Sequence, residues 1–336
     1  MNKEINKDAA KELDDILNDS IKLFTEFKKL KNLTDKYNTD NARALGYHGR
    51  ELFELIQNVD DAYTKYKLEN EISKSKKVEA FIEYTGDKLR ISNKGTVFDD
   101  DSILRLCQGG VSNKHKENYI GNKGIGFRSV LNWSSDIRIY SDKYSVRFSK
   151  EFADKQMEVL HEKDIYGIVK AQLDENPNIS FPLFYAPEPI APIDLDGFDT
   201  VIELIISPET QNDEWNIEKQ IKSFKEEILL FLPNITKITF KQNDATISYE
   251  KKTGQEKNQF IISRTPQIGK EKAFYLFSNT QDEELEKYKI TEDKEEKTVK
   301  LAFAIPCDFT TNNYPFYTFF PIRQTNAPFN ALCYGS

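Results

Sequence analysis

Glycine is scarce in this chain and crowded into one stretch. Of 14 glycines, seven (Gly86, Gly95, Gly109, Gly110, Gly121, Gly124 and Gly126) fall between residues 86 and 126, and the 210 residues that follow hold five. Clustered glycines mark turns or backbone that must approach something closely. Whatever this chain folds into must carry a glycine-rich connection between its apolar elements, either as a long surface loop or as the lining of a site.

The flanking pattern supplies the elements. Residues 4 to 37 read as one long amphipathic helix, with Leu13, Leu17, Ile21, Phe24, Phe27, Leu30 and Leu33 recurring at spacings of three and four. A solvated helix packed on the body accounts for this pattern better than a partner-binding arm. A second helix is expected from about Asn41 to Leu68, then strands at 78–85 and 88–93 around the Gly86-Asp87 turn. A short helix is expected over Asp99–Cys107, and another near Phe127–Asn132. Strands follow at 136–141, 144–149 and 200–206. The polar block PETQNDEWN (208–216) is the best domain boundary. Beyond it a helix over Ile217–Phe231 precedes strands around 236–250, 259–263, 273–277, 299–305 and 315–320, with the acidic, lysine-rich run 281–297 as a solvated excursion. The fold class expected is α+β, divided into an N-terminal helix (1–40), a first domain (41–207) and part of a second α/β domain (208–336). The chain ends on FNALCYGS directly after an apolar run, so a further domain downstream is expected.

Composition removes several classes of function. With 336 residues, 23 Phe and 16 Tyr, the chain can fill more than one core. No window approaches 18 consecutive apolar residues, and the N-terminus has no apolar secretory stretch, so the expectation is a cytoplasmic protein without a membrane span. Three cysteines and three histidines, all scattered, argue against a disulfide framework and against transition-metal chemistry. A net charge of −8 argues against direct nucleic-acid binding by this segment.

Three short segments carry chemistry. In ELFELIQNVDDAYTKY (51–66), Glu54 and Asn58 stack one helical turn apart with Asp61 near the same line, flanked by Leu55, Ile56 and Val59. Such polar groups are costly to bury without partners, and an exposed stripe is the plain alternative. In LRISNKGTVF (89–98), Asn93 ends an apolar strand beside Gly95, where a polar side chain can read a base edge and the glycine lets a ring approach. In GNKGIGFRSVL (121–131), Gly121, Gly124 and Gly126 precede an apolar helix start, so backbone N–H groups can cradle phosphate. The preceding VSNKHKENYI offers Ser112, Asn113, Lys114 and Lys116 as donors for a mobile flap over phosphates. A Rossmann fingerprint is disfavoured, because polar loop and not a buried strand comes before these glycines.

In this order the segments resemble the Bergerat-type ATP-binding fold shared by gyrase, the 90-kDa heat-shock chaperones, histidine kinases and MutL. ELIQNVDDA is similar to that family's E-x-x-x-N-x-x-D-A box, NKG stands where the family has D-x-G, and GNKGIGF matches G-x-x-G-x-G-F. RALGYHGRELFELIQNVDDAY, the asparagine of the second box, the short flap and GNKGIGFRSVL look most like the sacsin-type and No-Vein-type members. DTVIEL, EEILLFLPNI and FFPIRQTNAPF extend the likeness more weakly. The resemblance implies a two-layer α/β sandwich over residues 41–207, followed by a chaperone-middle-domain-like region, and an ATPase with ATP and Mg²⁺ as cofactors.

The same resemblance implies the residue roles. Glu54 is the general base that activates water. Asn58 completes the Mg²⁺ shell through its amide oxygen. Asn93 takes the adenine position, where the family usually has Asp. Gly95 admits the ring, Asp61 supports the helix or the ribose side, and Thr200 supports adenine through its hydroxyl. Gly121, Lys123, Gly124, Ile125, Gly126 and Phe127 line the triphosphate, and Ser112, Asn113 and Lys114 belong to a lid over residues 109–122 whose closure pairs two protomers into a homodimer. A γ-phosphate contact from Arg323 or from beyond Ser336 is expected. Two rival readings stand beside turnover: a nucleotide-binding switch and a scaffold with a decayed pocket. A histidine kinase is disfavoured, because His48 would lie on the Glu54 helix itself. Microbial defence and chaperone-like remodelling both remain as settings.

Overall fold

The computed structural model describes residues 4–25, 32–70, 78–108, 126–278, 289–292, 295–298, 301–308, 314–318, 320–326 and 331–335. The chain is mixed α/β and divides into two units, Met1–Glu71 with Phe81–Lys222, and Ile72–Ala80 with Ser223–Ser336.

In the first unit, helices α1 (Lys7–Thr25), α2 (Asn32–Gly46) and α3 (Glu51–Glu69) come before the first strands. Strands β1 (Glu79–Tyr84) and β2 (Lys88–Asn93), helix α4 (Asp100–Gln108) and a 3₁₀ turn over Gly126–Asn132 follow. Next come β3 (Ser134–Ser141), β4 (Tyr144–Ser149), helices α5 (Lys150–Lys163) and α6 (Ile168–Glu175), β5 (Glu188–Pro189), β6 (Thr200–Ile206) and helix α7 (Ile217–Lys222). The strand order is β1-β2-β6-β3-β4-β5.

The antiparallel register of this sheet explains its chemistry. Leu89, Leu204, Ile137 and Phe148 form one cross-strand row, and Ile91, Ile202, Ile139 and Val146 form the next. All eight are buried. The following row on the same face is Asn93, Thr200, Ser141 and Tyr144. Because successive side chains alternate between faces, the opposite face carries Arg90, Glu203, Arg138 and Arg147. One face is therefore a core that ends in a polar row, and the other carries a charged row beside buried Val201 and Tyr140.

The structure corrects the N-terminal expectation. The long helix expected over residues 4 to 37 is two helices, because Asn32 Nδ2 donates to Leu23 O at 3.4 Å. Along one straight helix those positions would lie about 13 Å apart. Ile21 and Phe24 of α1 and Leu33 of α2 pack with Leu160, Val169 and Phe181 in one cluster, with Phe24 edge-on to Phe181 at 5.4 Å. The helix expected from Asn41 to Leu68 is likewise interrupted: α2 ends at Gly46 and α3 begins at Glu51, with Gly49 at φ +80° between them. His48 thus sits in the turn before the Glu54 helix, not on it. Helices α5 and α6 lie where the sequence suggested no element.

Arg128 is fully buried just after the glycine-rich stretch. Its Nε meets Asp40 Oδ1 of α2 at 2.5 Å, its Nη2 donates to Leu106 O of α4 at 3.0 Å, and its guanidinium lies 5.1 Å from the Phe184 ring. Since Leu106 and Arg128 flank residues 109–125, this hydrogen bond draws together the chain on either side of that segment.

The second unit is largely antiparallel sheet. Strands β7 (Lys237–Gln242), β8 (Ala245–Thr253), β9 (Gln259–Thr265) and β10 (Lys272–Ser278) form a meander, and β11 (Lys289–Glu292) pairs with β12 (Glu295–Thr298) as a separate hairpin. Strands β13 (Leu301–Pro306), β14 (Pro315–Thr318), β15 (Phe320–Asn326) and β16 (Leu332–Gly335) extend the sheet in the order β15-β14-β16-β13-β10-β9-β8-β7. The run 281–297, read from sequence as a solvated excursion, thus contains a hairpin. The helix expected over Ile217–Phe231 is α7 followed by a 3₁₀ turn, Glu226–Phe231; the carbonyls of Leu229 in the turn and of Leu232 just after it accept from Lys251 Nζ at 2.6 and 2.5 Å. The units divide at Lys222/Ser223 and not after 207, because Gln220 of α7 is bonded to Glu51 and to the Leu52 amide of α3.

Removing one partner of a buried ion pair leaves an uncompensated charge, which costs about 3–5 kcal/mol. Asp40→Ala is therefore expected to destabilise the protein by that amount in urea unfolding, and a loss below about 1 kcal/mol would show that Arg128 is not held by this pair.

Candidate functional site

Helix α3 is buried on every side through its first two turns, from Glu51 to Gln57. Three of those seven residues are polar, so their partners decide what they do. Glu51 is saturated: Oε1 accepts from Asn132 Nδ2 at 2.8 Å and lies 3.2 Å from His48 Nδ1, while Oε2 accepts from Gln220 Nε2 at 2.6 Å. It holds α3 to the Gly126–Asn132 turn and to α7. His48, whose Nε2 also lies 3.3 Å from Asp213 Oδ1, is a structural bridge in this network.

Glu54 differs in kind. It is 8% exposed, yet among the described residues its carboxylate makes no hydrogen bond or salt bridge. Burial pushes its pKa up to about 7; the Arg50 charge one turn earlier opposes the rise, and the Asp61 charge adds to it. The carboxylate abuts Gly126, where a Cβ would fall 2.1 Å from Glu54 Oε2 and 3.1 Å from its Cδ. Only glycine leaves the carboxylate where it is.

One turn on, Asn58 Nδ2 is buried without a hydrogen-bond partner among the described residues. The next position on this ridge is Ala62. There Gly95 comes in at φ +141°, so close that a Cβ would lie 3.2 Å from Ala62 C and Tyr63 N, and Thr96 N donates to Ala62 O at 3.1 Å. The ridge Glu54–Asn58–Ala62 therefore runs from the last glycine of one motif to the glycine of another, about 12 Å along the helix axis.

At the Gly95 end stands the polar row of the sheet. Asn93, Thr200 and Ser141 are all buried. Asn93 Nδ2 donates to Lys94 O at 3.2 Å, Asp199 Oδ2 accepts from Gly95 N at 3.0 Å, and Thr200 Oγ1 lies 2.6 Å from Ser141 Oγ.

Of the residues singled out from sequence, Glu54, Asn58 and Asp61 share one helix, Gly126 meets Glu54, Gly95 meets the same helix, and Asn93 pairs in register with Thr200. Phe127 is a core ring, 5.8 Å from Phe184. Ser112, Asn113, Lys114, Gly121, Lys123, Gly124 and Ile125, with the lid expected over 109–122, lie outside the described residues. Arg323 lies on β15 of the second unit.

Sequence reasoning missed Ser141, Asp199, Glu51 and Arg128. For Ser141 a signal existed: in each of three strands an apolar alternation (Leu89, Ile91; Leu204, Ile202; Ile137, Ile139) ends in a polar residue on the same face. A groove of about 860 Å³ lined by Asp15, Asp19, Lys22, Glu162 and Lys163, among others, shares no residue with this set. No helix among the described residues is long and apolar enough to cross a membrane. No family model and no curated protein matches the chain.

The raised pKa has a consequence for stability. Glu54 binds its proton more tightly in the folded state than at the ordinary value of 4.5, so unfolding free energy falls as pH rises from about 4.5 to about 7. Glu54→Gln removes this dependence. Relative to wild type it is expected to gain on the order of 2–3 kcal/mol between pH 5 and pH 8 in urea unfolding. A gap between the two proteins that does not change with pH would show that Glu54 is not titrating in that range.

Proposed function

We propose that the first unit binds ATP with Mg²⁺ and hydrolyses it, as a Bergerat-type module with helices on the apolar face of its sheet. The observation that carries this reading is Glu54: a buried carboxylate without a bonding partner among the described residues, against the last glycine of a glycine-rich motif and one turn from half-buried Asn58. Glu51, three residues earlier in the same helix, is bonded to Asn132 and Gln220, and a buried carboxylate held near pH 7 suits proton abstraction.

The donor set fits the ligand. Asn58 would hold Mg²⁺ through its amide oxygen, with phosphate oxygens completing the shell, because a hard cation takes oxygen donors and a neutral amide leaves the phosphates to balance its charge. Bound Mg²⁺ would neutralise charge developing on the phosphates. Glu54 would take the proton from water, and Gly126 would let the carboxylate and the phosphate end approach without a side chain between them. At the other end of the ridge Asn93 and Thr200 would hold the base. In a larger protein, turnover would drive conformational change or homodimer formation.

With Mg²⁺ present, calorimetry is expected to detect ATP binding at or below millimolar concentration. Glu54→Ala should keep that binding and lose about 10²–10⁴-fold in hydrolysis, whereas hydrolysis at the parent rate would remove Glu54 from the mechanism. Gly126→Ala is expected to fold and still to lose hydrolysis, because the added methyl displaces the flexible Glu54 carboxylate and not backbone; undiminished hydrolysis by that variant would show that the observed Glu54 position is not the working one.

A further inference from the structure

The two acids that begin α3 meet one short element at its opposite ends. Gly126, the first residue of the 3₁₀ turn, lies against the Glu54 carboxylate. Asn132, the last, donates from Nδ2 to Glu51 Oε1 at 2.8 Å and to Ala44 O, in the final turn of α2, at 2.7 Å. Both protons of that amide are thereby used. Between the two ends, Phe127, Arg128, Ser129 and Val130 are buried, and Arg128 is held by Asp40 and by Leu106 O. Trp133 N donates to Val130 O at 3.0 Å, and Trp133 O accepts at 2.9 Å from the amide of Ser207, just after β6. The Asn132 end of the turn is thus fastened to the sheet.

The helix side is held from outside. Arg50, the N-cap of α3, makes no side-chain cap hydrogen bond. Gln220 takes that part: its Oε1 accepts from Leu52 N at 3.2 Å, while its Nε2 donates to Glu51 Oε2 at 2.6 Å and to Trp215 O at 2.7 Å. The Glu54 amide donates to Arg50 O at 3.1 Å, so Glu54 closes the first turn that Glu51 opens. Buried Leu52, Leu55 and Ile56 add apolar area without direction, and the Asn132–Glu51 hydrogen bond adds direction. Glu51 and Glu54 move as one turn, Asn132 and Gly126 as another, and this bond joins them.

We propose that Asn132 is a positioning residue for Glu54: by holding Glu51 it sets where the Glu54 carboxylate stands against Gly126, and so the placement of the base at the phosphate end of the site. This inference rests on the ATP-hydrolysis reading above and deepens it. A reacting group displaced by about 1 Å can lose on the order of 10²-fold in rate. ATP binding, which that reading gives to Asn58, Asn93, Thr200 and the glycine motif, does not pass through Asn132.

The test separates binding from chemistry. Asn132→Ala is expected to bind ATP with Mg²⁺ within about twofold of wild type in calorimetry and to lose about 10–10²-fold in kcat. Asn132→Asp sets an acceptor against the Glu51 carboxylate and should lose at least as much. Adding Glu51→Gln to it returns a donor and an acceptor to that contact, with the remaining oxygen still accepting from Gln220, and should recover about fivefold in kcat, the worth of one hydrogen bond. A parent kcat in Asn132→Ala overturns the proposal. So does a loss of binding and kcat in step, the mark of a general loosening, or a double variant no faster than Asn132→Asp alone. Should the alanine variant not fold, Asn132→Ser must show the same selective loss of kcat, or the proposal falls. Wild type that binds no ATP, or binds it without hydrolysis, would instead overturn the ATP-hydrolysis reading, and this inference with it.

Discussion

Burying carboxylates at the start of a helix is the constraint on which the rest of the first unit depends. Two of them, Glu51 and Glu54, enter the interior within one turn of α3, where an unpaired charge is far more costly than in water. Glu51 is met by Asn132, Gln220 and His48. Those three partners come from the turn after the glycine-rich stretch, from α7 and from the segment before α3, so satisfying one carboxylate fixes three elements around the helix. Glu54 receives no such treatment. The cost appears as a pKa raised to about 7, and it is tolerated next to the one residue, Gly126, that has no side chain to compete for the space. The contrast between these two acids, three residues apart in one helix, is between one bonded on both oxygens and one whose burial is met by a raised pKa.

The sheet applies the same economy. Two rows of branched and aromatic residues give the core its area, and the third row breaks to Asn93, Thr200 and Ser141, with Tyr144 beyond. A polar row at the end of an apolar face is affordable only where its hydrogen bonds are made, and here the backbone of Lys94, Phe98 and Asp199 supplies partners. Gly95 and Thr96 then seal this end against Ala62, so α3 and the polar row face one another across a short approach. Arg128 plays the corresponding part at the other end, where it is neutralised by Asp40 and bonded to the backbone of α4.

Much of this was legible beforehand, for reasons of periodicity. The strands at 88–93, 136–141, 144–149 and 200–206 show plain alternation, and the structure has β2, β3, β4 and β6 there. The Glu54–Asn58 stacking follows from helical pitch alone. The N-terminal helix was misread for the same reason: spacings of three and four continue from Leu13 to Leu33, and a pattern of apolar positions does not report that Asn32 comes back to Leu23. The Asn32–Leu23 hydrogen bond does. The unit boundary was misplaced because polar composition around 208–216 looks like a linker, whereas Gln220, just beyond it, is bound to Glu51.

The sequence by itself determined which residues could carry chemistry and the order in which they come: an acid and an amide one turn apart, an asparagine before a glycine, and a glycine-rich run. Local spacing is sufficient for that, because pitch and pleat are properties of the backbone. Only the tertiary structure decided which acid is chemically available and which is a strut, since that depends on partners 81 and 169 residues away, Asn132 and Gln220 for Glu51. It also decided that Ser141 stands beside Thr200, 59 positions further along the chain, because cross-strand register is set by the packing of two apolar rows and not by any local signal.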